Sequence, residues 1–207
     1  MKRPLLLLLF ILIFANAKAQ RTYYGVTCDY NSGLGQRYSY GMGINFEAHI
    51  RGLENVYFNW HYAIGSTTHS DMYARGPISV LLYKSEEWWE PGPHATIGSA
   101  LMMVILPSMC PVGISVYTPR THHTGLRYGF YCNPLEVDFW DQHPAPVTSW
   151  TIEGGLKLIA ETQSGACLYF SIGASSTHNL TKSRQQPLDY GDENTLCISL
   201  GLLHAQY

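Results

Sequence analysis

From Arg37 to Arg51 apolar and polar residues alternate without a break. Tyr38, Tyr40, Met42, Ile44, Phe46, Ala48 and Ile50 fall on one face, and Arg37, Ser39, Gly41, Gly43, Asn45, Glu47, His49 and Arg51 on the other. A period of two is that of a β-strand, whose successive side chains point to opposite sides. After Gly52-Leu53-Glu54-Asn55, which reads as a tight turn, Val56, Phe58, Trp60, Tyr62 and Ile64 oppose Tyr57, Asn59, His61, Ala63 and Gly65. Strands of soluble proteins run about five or six residues, whereas a strand tilted across a bilayer needs about 9–11. These two are long enough to cross. One face is aromatic and aliphatic and the other small, polar or charged, the pattern of a barrel with lipid outside and a polar interior.

The same alternation recurs along the chain. Tyr24 to Asn31 predicts a first strand, and Val112 to Thr118 another. Leu126 to Cys132 alternates in one phase, Asn133-Pro134 interrupts it, and Leu135, Val137 and Phe139 continue against Glu136 and Asp138. Proline cannot donate to a ladder, so the interruption marks an irregularity. Trp150 to Glu161 and Leu168 to Ser175 follow, joined by the minimal turn Gln163-Ser164-Gly165, and the last strand runs from Thr195 to Tyr207. Connections at 68–76 (read as an exposed loop), 141–147 and 178–193 are longer than the turns at 51–55 and 163–165. Residues 77–111 are ambiguous, because Ala95 to Leu106 is apolar on every side. Read as a short helix around 95–106 they leave eight strands; read as a hairpin they give ten. The expected fold is an all-β, antiparallel up-and-down transmembrane β-barrel.

Targeting and composition narrow the setting. Lys2 and Arg3, the apolar run Leu5 to Phe14 and the small residues Ala17-Lys18-Ala19 predict a signal peptide over residues 1–19, cut before Gln20, with the barrel domain over 20–207. Loss of Lys2, Arg3 and Lys18 takes the formal charge from −2 to −5, which argues against a nucleic-acid partner. Charged residues make up 14% of the chain, well below the roughly 25% of an ordinary soluble domain, as a lipid-facing wall requires. The five cysteines include no C-x-x-C pair, so no structural zinc site is expected.

With a leader ending Ala19-Gln20, repeated alternating strands and a closing strand that ends on Tyr207, the chain resembles the small bacterial outer-membrane β-barrels of the OmpA/OmpX-like class. Ile198, Leu200 and Leu202 alternate in the opposite phase to Tyr207. The resemblance covers the whole segment after the leader and implies residence in the bacterial outer membrane, with lipid as the immediate partner.

The candidate site is the polar face: Arg37, Glu47, His49, Arg51, Asn59, His61, Arg127, Glu136, Asp138, Glu153, Lys157 and Glu161. An eight-stranded barrel is just wide enough for side chains to fill, so these charges are expected to pair with one another as a structural network. A ligand cavity or ion path is the alternative. Tyr30, Tyr38, Tyr40, Trp60, Tyr62 and Trp150 are expected at the membrane interface, where amphipathic rings anchor. His69-Ser70-Asp71 and Ser175-Ser176-Thr177-His178 carry hydrolase chemistry in principle. Neighbours on a strand point to opposite faces, however, and no G-x-S-x-G context is present. No enzyme activity and no cofactor or metal are therefore expected. The expected role is structural or one of surface interaction, with a ligand or protein met through loops 68–76 and 178–193. Two alternatives stand beside it: a soluble secreted lipocalin-like barrel binding an apolar ligand inside, and an outer-membrane lipid-modifying hydrolase.

Overall fold

The computed structural model describes residues 21–33, 38–67, 72–76, 111–119, 125–140, 147–179 and 193–206. The leader, residues 77–110 with the expected short helix or hairpin, and Arg37 lie outside these. Nine strands are present: β1 (Thr22–Gly33), β2 (Tyr38–His49), β3 (Val56–Thr67), β4 (Met72–Arg75), β5 (Gly113–Tyr117), β6 (Leu126–Trp140), β7 (Val147–Glu161), β8 (Ala166–Asn179) and β9 (Glu193–Gln206). All pairings are antiparallel. β1 lies between β2 and β9, and β2 pairs with β3, which closes the sheet on itself. β4 and β5 share one place in the wall, since each pairs with both β3 and β6. The result is a closed eight-strand up-and-down barrel whose fourth strand is in two pieces.

The split strand corrects the reading of 68–76 as an exposed loop. Met72–Arg75 is a strand, with Tyr73 and Arg75 pointing inward and only 1% and 3% exposed. Gly76 ends it with φ +91°, where a Cβ would strike the His61 carbonyl, so only glycine fits there. The hairpin between β2 and β3 turns on Gly52 and Asn55, both with positive φ, and that between β7 and β8 on Gly165. These turns define the hairpin end of the barrel. The opposite, loop end carries the connections into residues 34–37, 68–71, 141–146 and 180–192.

The interruption at Asn133-Pro134 is a β-bulge, with the register against β7 shifting between Asn133 and Glu136. An extra residue reverses the alternation. Arg127, Tyr131 and Asn133 face inward before the bulge, and Glu136 and Asp138 after it, while Leu135 faces out at 63% exposure. The phase change in the sequence is thus a change of phase in the wall, and both halves of β6 keep their charges inside.

Sidedness follows the alternation throughout. Val26, Met42, Ile44, Phe130, Leu156, Leu168, Leu200 and Leu202 project outward and are exposed, while Glu47, Asn59, Arg127, Glu136 and Asp138 are buried inside. In β9 Leu200 and Leu202 face out and Leu203 and Ala205 face in. The apolar residues of the last strand therefore serve both sides.

Candidate functional site: the polar interior

At the hairpin end the interior is aromatic. Tyr23, Tyr57, Tyr117 and Tyr169 pack with Ile159, Leu203, Ala205 and Cys167, residues drawn from six of the strands. The Arg127 guanidinium sits among them. It donates to the hydroxyls of Tyr23 and Tyr57 at 2.8 and 3.0 Å and to Asn55 Oδ1 at 3.0 Å, and it lies over the Tyr117 ring. This layer fills the cross-section at that end. Arg21 and Glu161 form an ion pair just below it.

One step toward the centre, Lys157 Nζ donates to Glu47 Oε1 at 2.7 Å, while the Tyr117 hydroxyl donates to Glu47 Oε2 at 2.7 Å and Asn45 to Oε1 at 3.3 Å. A chain of amides and a hydroxyl follows. Ser115 Oγ donates to Asn59 Oδ1, Asn59 Nδ2 to Asn133 Oδ1, and Asn133 Nδ2 to Glu136 Oε1, at 2.8 to 3.1 Å. His61 lies between two carboxylates, Nε2 at 3.3 Å from Asp29 Oδ2 and Nδ1 at 3.6 Å from Glu136 Oε1.

Toward the loop end the hub is Arg75. Its Nε donates to Asp138 Oδ1 at 2.7 Å, one terminal nitrogen to Asp138 Oδ2 at 3.0 Å, and the other to Glu153 Oε2 at 2.6 Å. The fork-shaped contact with Asp138 is the bidentate geometry that guanidinium and carboxylate share. Thr151 and Tyr73 also donate to Asp138, and Tyr131 donates to Glu153 at 2.5 Å. Space for these long side chains comes from inward glycines: a Cβ on Gly173 would collide with the Tyr131 hydroxyl, and one on Gly129 would come within 2.9 Å of the Tyr117 ring.

Of the residues expected inside, Glu47, Asn59, His61, Arg127, Glu136, Asp138, Glu153, Lys157 and Glu161 join these networks. His49 stands at the hairpin-end mouth, half-buried with its ring 5.2 Å from that of Tyr57. Arg51 is a correction: it lies in the turn and is exposed, because the turn begins before the alternation ends. Among the ring residues Tyr30, Tyr40 and Trp150 face out at 41, 57 and 40% exposure, Tyr62 is half-buried, and the Tyr38 side chain is outside the described set. Trp60 is a second correction. It is 6% exposed and set mid-strand, its ring edge-on to Phe46 and Phe58, rather than displayed at a rim. Arg75 and Tyr73 are the functional residues the alternation missed.

The hydrolase candidates fall partly inside the described residues. Ser176 and His178 face out and Ser175 and Thr177 face in, and His69 to Asp71 lie outside the described residues. Among the described residues no three His, Cys, Asp or Glu side chains are placed to hold a metal ion. No protein-family model matches the chain, and no curated protein matches it significantly.

Proposed function

We propose that this chain is an outer-membrane β-barrel with a structural or surface-interaction role and no catalysis, its wall facing lipid and its loop end meeting partners. The observation that carries the reading is the sidedness of the wall. Phe130, Leu202 and Met42 stand 69, 67 and 65% exposed outside, while buried ionisable groups line the inside. A monomer in water seldom displays so continuous an apolar surface. On β9 the outward residues between Asn194 and His204 are Leu196, Ile198, Leu200 and Leu202. Six steps of about 3.4 Å from Leu196 to Leu202, tilted about 40°, give roughly 16 Å along the barrel axis, which fits within the about 25 Å apolar band of outer-membrane barrels. A lipocalin-like barrel would need an apolar interior for its ligand, and here the interior is charged.

Fractionation of cells expressing the full chain with its leader tests this. The expected result is recovery in the outer-membrane fraction, extraction only with detergent, and migration on a gel that changes on boiling. Recovery as a soluble periplasmic protein without detergent would overturn it.

A further inference from the structure

Most outward side chains of the wall are exposed: on β2 and β3, Ile44 and Ile64 face out at 59 and 53%. Close by on the same outer face, Trp60, Val112 and Ala74 are 6, 1 and 0% exposed, and Phe46, Phe58 and Tyr62 are half-buried. Register sets their direction. Trp60 pairs with Phe46, and Ala74 with the exposed Ile64. Val112 precedes Gly113, which pairs with Asn59, so it stands beside Trp60 and in phase with the exposed Ile114 and Val116. Side chains stand roughly perpendicular to a sheet, so a tryptophan projects further than its neighbours. Phe46 and Phe58 meet the Trp60 ring edge-on, from the side. Its burial requires atoms over it as well as beside it.

Both ends of one segment lie at this spot. The chain leaves the wall after Gly76, which follows the Arg75–Ala63 pair and so stands beside Tyr62. It returns at Val112, whose amide donates to the Asn59 carbonyl. These points are two residues apart along β3, about 7 Å. Residues 77–110 therefore start and finish inside the covered patch. Within the barrel at this level His61, Arg75, Glu136 and Asp138 already pack against one another, and it is the outer side chains that are covered. We infer that residues 77–110 dock on the outside of the wall, over Trp60, Ala74 and Val112. The sequence suits this, since Ala95 to Leu106 carries no charged side chain and offers the apolar surface that an apolar patch buries. This part of the wall then faces protein, and the surroundings meet the segment instead. The inference holds whether those surroundings are lipid or water, so it stands apart from the membrane reading.

Photo-crosslinking in the folded full-length barrel tests it. Benzoylphenylalanine is placed at position 60 in one variant and at position 58 in a second, with position 202 on β9, where Leu202 is exposed, as the control. Crosslinks to peptides within 77–110 are expected from positions 60 and 58 and not from 202. Crosslinks from both positions to detergent, lipid or other strands alone would overturn the inference. So would crosslinks to a second copy, which mixing isotopically light and heavy chains reveals, because the patch would then be a contact between molecules. The unmodified protein supplies a measurement that needs no variant. An apolar photoactivated carbene is expected to label Trp60 about sevenfold less than Trp150, the ratio of their 6 and 40% exposures. Equal labelling of the two tryptophans would leave no cover over the patch and end the proposal.

Discussion

Glu47 shows what a single residue inside this barrel must satisfy. Its carboxylate is fully buried, and Lys157, Tyr117 and Asn45 supply its donors. Removing one member of such a pair leaves the other buried without its counter-charge. Lys157→Met is therefore expected to cost about 3–5 kcal/mol, while K157M together with E47L recovers most of the loss, because a well-packed apolar pair replaces the ionic one. Denaturant unfolding of the folded barrel in detergent measures both. An unchanged midpoint in Lys157→Met would show that the pair contributes nothing. Gly173 makes the converse point about volume. An added methyl would meet the Tyr131 hydroxyl and come within 2.6 Å of the Gly154 carbonyl, so Gly173→Ala is expected to destabilise by about 1–3 kcal/mol. A neutral result in the same unfolding assay would mean that Tyr131 and its bond to Glu153 shift freely.

At the scale of the element, legibility depended on length. β2 and β3 offer six residues per face, so the polar positions Glu47, Asn59 and His61 are readable as one side from the alternation alone. The bulge in β6 was readable too, because its phase change sits at a proline. β4 was not: four residues give two per face, and an arginine among Ser, Asp and Gly looks like a solvated loop. The alternation puts Tyr57 on the polar face of β3, but it does not show that Tyr57 packs with Tyr23, Tyr117 and Tyr169 in one aromatic layer drawn from separate strands. Trp60 lies on the face the pattern gave it, but a pattern of faces carries no information about what covers a face. The outward face makes its own prediction. Arginine at Leu200, in the middle of the apolar run of β9, is expected to cost about 2–4 kcal/mol in a bilayer, against about 0–1 for arginine at the rim position His204. In water both substitutions fall within about 0.5 kcal/mol of neutral. Folding free energies in lipid vesicles separate the two cases, and equal small costs at both sites would remove the lipid from the wall.

For the molecule as a whole, orientation follows from connectivity. With an even number of wall positions the first and last strands pair, and Arg21 and Gln206 lie at the hairpin end beside the turns at 51–55 and 162–165. Short turns mark the periplasmic side of outer-membrane barrels and long connections the outside, so on the proposed membrane reading the loop end is expected to face out. Two native cysteines report on this without any change to the interior. Cys28 on β1 and Cys132 on β6 are exposed on the outward face, at the level of Leu200 and Ile114 in their respective registers. If the wall is in lipid, both thiols are shielded from a charged, membrane-impermeant maleimide in intact cells and in vesicles, and they react with a small permeant one. A cysteine placed at Gln163, exposed in the β7–β8 turn, reacts with the impermeant reagent only after the outer membrane is opened. A barrel free in water would label at Cys28 and Cys132 with either reagent, and a barrel inserted the other way up would label at position 163 in intact cells. Peptide-level mass measurement distinguishes these patterns, because each cysteine falls on a different strand.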